Sequence, residues 1–565
     1  MNEELFRLDA LSGFVGLFAA FFFVLIGIYS LEHMRCRSRR TGFWAGMVLT
    51  LAVAEVSIFA DNLLVFLVAW GILGLLLYLL VALGRGERAA LTAKKAFVVV
   101  GASDILMLLG FGLLWRLSGE TVVSALSFSS LRMDLAGDWT AVVAFLCLLS
   151  GALAKAGAFP FHSWVPDTAE DAEVPVTAFL PASLDKLLGI YLLARLVMEV
   201  FVLTSALHTL LMALGAFTIL AAVMMALVQH DLKRLLGYHA VSQVGYMVLG
   251  LGTGHPVGIA GGLFHMLNHA IYKSGLFLCA GNAERSAGTG DLARLGGLAS
   301  RLPRTFASFL VASLAISGIP PLNGFASKWL VYQGVIQSGD RLWFLWLTAA
   351  MFGTALTLAS FAKLLHAVFL TSPAAPPAAA PGDRGGAMEE PATVPEREQP
   401  GFLSEIPPAV LAFCCVVFGI LALPIPLTLF ILPATGTEVV IPGLWDAPAA
   451  TLLLLLALVV GLLPAMWSWR GKIRVVEPFI GGEKLALHPA MRVSGVHFYQ
   501  AVERLPVLRR IYPPARERRL DPYEAGKTAV LWLSRQLGGA HNGLLPRYVT
   551  WCLAGLLLLI LVLEG

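Results

Sequence analysis

The sequence predicts an all-α polytopic membrane protein of about fourteen or fifteen transmembrane helices, because apolar runs long enough to cross a bilayer recur from end to end. Hydrophobic residues make up 58% of the 565 residues and charged residues only 13%, and the mean hydropathy is +0.78. The interior of a soluble domain cannot hide this much apolar surface. The runs do not alternate as barrel strands do, so a helical bundle is favoured over a β-barrel.

The apolar runs place the predicted helices in order along the chain. They cover 11–33, 43–59, 62–84, 95–115, 138–157, 175–199, 202–228, 233–252, 256–281, 305–320, 325–338, 342–370, 405–432, 448–468 and 546–563.

Proline and glycine interrupt two of these runs, in "LAKAGAFPFHSWVP" (153–166) and "SGIPPLNGFASKW" (317–329). Proline removes a helix hydrogen bond, so such breaks are tolerated at membrane depth only where protein or water surrounds them. Each break lies beside a lysine, Lys155 or Lys328, which favours two inverted repeats around an ion path over ordinary loop ends.

The placement of basic residues sets the orientation. Arginine and lysine gather in alternate loops, at 35–40, 85–95, 233–234 and 285–304. By the positive-inside rule these loops face the cytoplasm and the N-terminus faces outward. The first residues lack the basic lead and cleavage site of a secretory signal, so we expect the first helix to be retained.

Changes in composition divide the chain into segments. They are N-terminal helices at 1–94, a first half-channel repeat at 95–252, a second at 253–370, a linker at 371–404, further spans at 405–468, a polar and amphipathic segment at 469–545, and a final span at 546–565. The linker is rich in proline and alanine and is predicted to be flexible. Residues 523–538 carry apolar side chains at helical spacing, which indicates a helix lying along the membrane surface or a neighbouring subunit.

Cofactor motifs are missing from the sequence. The six cysteines lie mostly inside predicted spans and form no CxxC pair, as expected of small core residues. There is no GxGxxG, no GxxxxGK[ST] and no cysteine frame for an iron–sulfur cluster. We therefore expect no cofactor and no metal on this chain, any redox centre on a partner chain, and no nucleic-acid partner.

Ionisable residues inside the predicted spans are the candidate functional residues. A charge at the centre of a bilayer costs about 2.5–3.5 kcal/mol even on lenient insertion scales, so such residues are paired, hydrated or functional. His265, His269 and Lys273 stand four residues apart on one helical face, a rise of about 6 Å per step. Histidine accepts and donates protons near neutral pH, and a lysine out of water releases its proton more readily. The pattern favours a proton relay over structural histidines and over a metal site, for which no HExxH is present.

Asp104, Lys155 and Lys186 form a second group of candidates on neighbouring spans. An acid and lysines placed in this way could form a switchable ion pair, although Lys186 could instead pair locally with Asp185. Asp61, in "FADNLLVF", is interpreted as a helix N-cap from its position.

Three segments resemble the antiporter-like subunits of respiratory complex I. They are "HDLKRLLGYHAVSQVGYMVLGLG" (230–252), "FHMLNHAIYKSGLFLCAG" (264–281) and "GAFPFHSWVPDTAEDAEVPVTAF" (157–179). Mrp-type sodium/proton antiporters and membrane subunits of energy-converting hydrogenases belong to the same superfamily. The resemblance covers residues 8–370 or so. It implies a two-fold inverted repeat whose half-channels are joined by a central hydrophilic axis.

The resemblance also implies places for the ionisable residues in a proton relay. Lys155 matches the lysine of the first broken helix, and Lys328 matches the lysine of the second, near the exit. The remaining matches are the central series His265, His269 and Lys273, and Asp104, which matches a family acid one helix before Lys155.

The first half departs from the family pattern. After "VAW" the family usually has a glutamate that pairs with the first-half lysine, and here that position holds Gly71. Pro181 stands where many members have a histidine, with Lys186 further along the same helix, and the chain begins late relative to the family. Asp104 could supply the missing acid, another subunit could, or nothing does, in which case the first half cannot pump as the family does.

The sequence thus predicts a subunit that translocates protons or sodium ions within a redox-driven membrane complex, hydrogenase-like or complex I-like, in a prokaryotic plasma membrane. It would work beside other membrane subunits and a peripheral redox module. "EPFIGGEKLALHPAMRVSGVHFYQAV" favours hydrogenase-type relatives. The alternatives are an Mrp-like secondary antiporter or the membrane subunit of an inorganic-carbon uptake system, and a non-conducting structural anchor, which the loss of the acid at Gly71 supports.

Overall fold

The structure, a computed structural model, describes most of the chain. The described residues are 5–84, 86–119, 126–370, 399–436, 503–506, 508–541 and 543–564, with the single residues 452, 456 and 499. The chain divides into two compact units, Met1–Gln500 and Ala501–Gly565. Both units are helical where they are described.

The larger unit is a helical bundle. Its helices are α1 (Ala10–His33), α2 (Arg40–Phe59), α3 (Leu63–Val81), α4 (Gly86–Ser118), α5 (Trp139–Ala156), α6 (Trp164–Asp171), α7 (Val174–Val200), α8 (Ser205–Leu227), α9 (Leu232–Gly252), α10 (Pro256–Ala287), α11 (Leu298–Arg301), α12 (Pro303–Ile316), α13 (Asn323–Gln337), α14 (Trp343–Leu370), α15 (Phe402–Ile420) and α16 (Leu423–Thr435). Two π-helical segments, Leu180–Leu184 and Leu196–Val200, lie within α7. A pair of two-residue strands, Met133–Asp134 and Phe201–Val202, runs parallel.

Within the described residues, nine helices are long and apolar enough to cross a membrane: α1 to α5, α7, α8, α14 and α15. The helices α12 and α16 are apolar but shorter. The predicted spans at α9 and α10 are helices too, but histidine, asparagine and lysine side chains reduce their hydropathy, and both are buried on nearly every side. The all-α polytopic fold is confirmed. The predicted span 448–468 and most of the linker lie outside the described residues.

Both predicted helix breaks are present. Helix α5 ends at Ala156 and helix α12 ends at Ile316. Gly157 and Gly318 follow, each with a φ of +72°, a conformation that glycine adopts without steric cost. Carbonyl groups at the two broken ends therefore lack helical partners and are open to side-chain donors.

Helix α10 lies at the centre of the larger unit and links the two breaks. On one side Ser274 of α10 donates to the Ala178 carbonyl of α7, at 3.0 Å. On another side Asn268 of α10 and Asn323 of α13 exchange hydrogen bonds: Asn268 Nδ2 donates to the Asn323 carbonyl and Asn323 Nδ2 to Asn268 Oδ1, each at 2.9 Å. Since α7 follows the first break and α13 follows the second, the polar residues of α10 lie between the two.

The N-cap of α3 lies one residue later than predicted. Asn62, not Asp61, accepts the N–H groups of Leu64 and Val65, at 3.0 and 3.1 Å. Asp61 instead accepts the backbone N–H and the hydroxyl of Ser129, at 3.1 and 2.5 Å, and so ties the loop after α4 to the start of α3. The prediction was wrong because aspartate and asparagine are both favoured N-caps and stand next to each other here.

The smaller unit contains α17 (Leu508–Arg516), α18 (Pro522–Ala540) and α19 (Leu545–Glu564). Helix α18 covers the predicted amphipathic stretch and is capped by Asp521, which accepts the N–H of Tyr523 at 3.0 Å. It exposes large apolar side chains, among them Trp532 and Leu537. Helix α19 coincides with the final predicted span.

Candidate functional site

His265 connects three helices in the second half of the molecule. Its Nδ1 lies 2.9 Å from Ser327 Oγ on α13, and its Nε2 lies 3.2 Å from Gln243 Oε1 on α9. The Tyr272 hydroxyl, on the same helix as His265, is 3.3 Å from Nε2. The ring is fully buried, and a neutral imidazole can donate with one nitrogen while accepting with the other. His265 therefore joins polar groups of α9 and α13 through hydrogen bonds at both ring nitrogens.

His269 and Lys273 continue the same face of α10 and are both fully buried. Both ring nitrogens of His269 and Nζ of Lys273 have no hydrogen-bond partner among the described residues. Lys273 Nζ lies between the Phe277 and Phe361 rings, 5.7 Å from each centroid. Aromatic faces stabilise a cation only partly, so these nitrogens retain their capacity to bond water or an incoming proton.

Lys328 lies beside the second break. Its Nζ donates to the carbonyl of Ile316, the last residue of α12, at 2.9 Å and lies 4.7 Å from the Tyr246 ring centroid. The Tyr246 hydroxyl donates to the Ala350 carbonyl at 2.7 Å and is 2.8 Å from Thr354 Oγ1. A backbone carbonyl oxygen and an aromatic face, both neutral, are thus the contacts described for this lysine.

Lys155 and Asp104 lie on either side of Trp70 in the first half. Trp70 Nε1 donates to Asp104 Oδ1 at 3.0 Å, and Lys155 Nζ lies 5.1 Å from the Trp70 ring centroid. Lys155 is fully buried, and its Nζ has no hydrogen-bond partner among the described residues. The predicted acid and lysine are therefore neighbours separated by an indole ring.

Lys186 lies beside the first break as Lys328 lies beside the second. Its Nζ donates to the carbonyl of Ala156, the last residue of α5, at 2.5 Å, and lies 5.6 Å from the Trp164 ring centroid. The local pairing with Asp185 that the sequence left open is not a direct hydrogen bond, because Asp185 Oδ2 has no hydrogen-bond partner among the described residues.

The predicted residues of the two halves share one electrostatic environment. The Lys186 charge acts on both His269 and Lys273, the Lys328 charge acts on His265, and the Lys155 charge acts on Asp104. The predicted site residues thus lie within electrostatic reach of one another in succession, and we call this set the buried row. Asp104 and Lys155 stand at one end, Lys186 and the α10 residues in the middle, and Lys328 at the other end.

His239 and Lys363 are buried ionisable residues that sequence reasoning missed. His239 of α9 has Nε2 2.7 Å from Ser360 Oγ, and the charges of Lys273, Lys328 and Lys363 act on it. Lys363 of α14 donates to the carbonyls of Leu227 and Gln229, at 2.8 and 3.0 Å. The signal was available, because both are ionisable residues within apolar helices, the same criterion that selected the others.

A network of ion pairs holds α6, which follows the first break. Asp167 accepts Lys95 Nζ at 2.8 Å and Arg234 Nη1 at 2.9 Å, and Arg234 Nη1 also contacts Glu170 at 2.6 Å. Lys95 of α4 and Arg234 of α9 lie in the basic stretches that the positive-inside rule assigns to the cytoplasmic side. The basic side chains and the carboxylates of Asp167 and Glu170 on α6 compensate one another, so the network fixes α6 to α4 and α9.

A metal site was the alternative reading of the paired histidines. Across the described ranges, no group of three or more His, Cys, Asp or Glu side chains is arranged to hold a metal ion. The absence of cofactors from this chain stays a prediction.

The fold and the buried row together define a class: polytopic helical membrane proteins with broken helices and ionisable side chains beside the breaks, as in ion-translocating proteins. The sequence matches the family described as NADH:quinone oxidoreductase/Mrp antiporter, TM, over residues 60–357. The chain belongs to this family, which confirms the resemblance found in the sequence.

Several named relatives are similar to the chain. F(420)H(2) dehydrogenase subunit L of Methanosarcina mazei is 32% identical over 362 residues, covering 59% of this chain and 54% of the relative. Hydrogenase-4 component B of Escherichia coli is 33% identical over 348 residues, covering 59% and 51%. The chain therefore spans about half the length of these two relatives. The structure of a membrane-bound sulfane sulfur reductase, an archaeal respiratory membrane complex, superposes with a TM-score of 0.78 at 21% identity, covering 99% of this chain and 89% of that chain.

Proposed function

We propose that this chain translocates protons across a prokaryotic plasma membrane as an antiporter-like subunit of a redox-driven complex. Its partners are other membrane subunits and a peripheral redox module, as the names of the relatives suggest. Electron transfer in that module changes the charge at one end of the buried row, and the row responds by moving protons.

The observation that carries this proposal is the set of buried nitrogens without partners on α5 and α10. Lys155, His269 and Lys273 are each fully buried, and their side-chain nitrogens bond no described group. A lysine or histidine that only stabilised the fold would be satisfied, because an unsatisfied buried polar group costs about 1–3 kcal/mol. Groups that bind and release protons need unoccupied hydrogen-bonding capacity, and the nitrogens of these three side chains have it.

The proposed route follows the row. Protons pass from Lys155 and Lys186 in the first half to His269 and Lys273 on α10. They then pass through His265 to Lys328, whose neutral surroundings favour release. The steps between His265, His269 and Lys273 can each run through one or two waters, since neighbours on one helix face are about 6 Å apart.

The test is proton movement by the assembled complex in sealed membrane vesicles, measured together with electron transfer. Lys273→Ala is expected to reduce the protons moved per electron by about 100-fold or more, because a positioned proton-transfer group contributes about 10²–10⁴-fold. Electron transfer and subunit composition are expected to stay normal.

Lys94→Ala is the matched control, since Lys94 is an exposed lysine of the same unit. Normal proton movement in an assembled Lys273→Ala complex would overturn the proposal and support a structural anchor. If the Lys273→Ala complex loses sodium movement and not proton movement, the proposed route stands and the transported ion is sodium.

A further inference from the structure

The resemblance implies an acid at position 71 in the first half, where this chain has glycine. The structure shows the surroundings of this position. Gly71 is exposed on α3, and a Cβ built there meets no atom within 4 Å. The position points away from the buried row. An acid that serves the first half from within this chain must therefore lie elsewhere.

Asp185 is a carboxyl group inside the bundle, with only 2% of its surface exposed. It follows the π-helical segment of α7, and its N–H bonds the Leu180 carbonyl five residues back. A π-helical turn adds one residue to the helix and redirects the side chains that follow, and such turns are frequent at functional sites. Here the turn directs two successive ionisable residues, Asp185 and Lys186, into the bundle, where both are buried.

The packing of α7 on α5 brings Asp185 to the first break. Gly189 stands one turn after Asp185 on the same helix face, and a Cβ there would lie 2.7 Å from the Ala152 carbonyl oxygen of α5. Because this glycine allows the two backbones to touch, Asp185 and Lys186 lie against the end of α5. The Lys186 hydrogen bond to Ala156 at 2.5 Å is direct evidence of this approach.

Two charges act on the Asp185 carboxylate, those of Lys155 from α5 and Lys186 from its own helix. Both lysines are fully buried, and Asp185 Oδ2 and Lys155 Nζ lack hydrogen-bond partners among the described residues. Charges attract strongly in such a low-dielectric interior. A buried carboxyl group whose Oδ2 bonds no described group, within the electrostatic reach of two buried lysine side chains, is an arrangement that structural stability alone does not require.

We propose that Asp185 is a second acid of the first half beside Asp104, the carboxylate that holds Lys155 and Lys186 in their protonated forms. Asp185 carries one negative charge for two ammonium groups, and Asp104 acts on Lys155 as well, so the proton of Lys186 is the mobile one. When Lys186 gives this proton to His269, Lys186 becomes a neutral amine, His269 becomes an imidazolium, and Asp185 remains paired with the Lys155 ammonium. This assignment rests on the proposed function and gives it a loading site within the chain.

The test uses the assembled complex in vesicles. Asp185→Asn keeps the shape of the side chain and removes its charge, and is expected to lower the protons moved per electron by about tenfold or more. Asp185→Glu restores the charge and is expected to recover most of the activity. If the Asn variant does not assemble, Asp185→Ser takes its place, with the same expected loss.

A double-mutant cycle separates the proposed pairing from a packing role. If Asp185 acts through Lys155, Asp185→Asn lowers proton movement strongly in the wild-type background and little further in Lys155→Met, because coupled residues are non-additive. Additive losses would overturn the assignment. Normal proton movement in an assembled Asp185→Asn complex would also overturn it, provided that Lys273→Ala is inactive. Normal movement in both variants would instead overturn the proposed function.

Discussion

The two helix breaks use the same backbone device but surround it with different side chains. At each break a lysine donates to the last carbonyl of the broken helix, Lys186 to Ala156 and Lys328 to Ile316. The first break has a buried carboxylate nearby, Asp185, which faces two lysines. The partners described for the second break are a tyrosine ring and backbone oxygen.

From this difference we propose that the two halves differ in how tightly they hold protons. A helix C-terminus carries a partial negative charge that stabilises an ammonium group modestly, whereas a carboxylate in a low-dielectric site stabilises it strongly. The first half is therefore suited to hold protons and the second half to release them. Replacing the lysine of the second half, and removing a hydrogen bond to an acid of the first half, test whether this contrast is real.

The largest expected effect is at the second half. Lys328→Ala removes the side-chain amine that bonds the Ile316 carbonyl at the second break. The substitution is expected to reduce proton movement about 100-fold or more. Vesicle proton uptake and the composition of the purified complex are measured together, with Lys94→Ala as the control. Retained proton movement in the assembled variant would show that the second half has another exit.

An intermediate effect is expected from the hydrogen bond that holds Asp104. Trp70→Phe removes a donor to a carboxylate, and Trp164→Phe, its matched control, removes a donor to the neutral Ala154 carbonyl at 3.0 Å. Both indoles are fully buried, so the change in packing is similar. Hydrogen bonds to charged groups are worth about 1 kcal/mol more than neutral ones, so Trp70→Phe is expected to lower the free energy of unfolding more, by about that amount.

Denaturant unfolding of the purified protein in detergent measures this pair. Equal losses in the two variants would mean that Asp104 carries no charge in the folded protein, and the first half would then rely on Asp185 alone.

The sequence was sufficient for the fold and for most of the row, but not for how the row is arranged. Proline and glycine at 153–166 and 317–329 predict both breaks, because few residue types can end a helix at membrane depth. Spacing alone predicts that His265, His269 and Lys273 share a face. Sequence spacing could not show that Gly189 lets α7 touch α5, or that a π-helical turn directs Asp185 inward, since both depend on packing between distant segments. For the same reason the sequence leaves open whether Lys186 pairs with Asp104 or with Asp185. The hydrogen-bond acceptor of Lys186 in the structure is the Ala156 carbonyl.

The smallest expected effect lies outside the row, at the N-terminal end of α1. Asp9 accepts two hydrogen bonds from Arg195, at 2.6 and 2.9 Å. Although burial raises its pKa, the bonds from Arg195 and Ser12 lower the pKa of Asp9 from its usual value of 3.8 to about 2. A lowered pKa stabilises the folded state above the usual value, and this contribution is lost as the pH falls through about 2.

Thermal unfolding of the purified protein between about pH 4 and pH 2 measures this contribution. Asp9→Asn is expected to flatten the pH dependence of the unfolding temperature in that window, whereas Asp134→Asn, at an exposed aspartate, leaves it unchanged. An unchanged pH profile in Asp9→Asn would mean that the Arg195 pair does not contribute to stability.

The buried lysines and histidines are expected to meet along a hydrated path. A cryo-electron microscopy map of the assembled complex, at a resolution that shows ordered water, tests it most directly. We expect waters bonded to Lys155 Nζ, to the His269 ring and to Lys273 Nζ, joined into a chain that reaches Lys328. Side chains held in dry contacts, with no water connecting one to the next, would contradict the account.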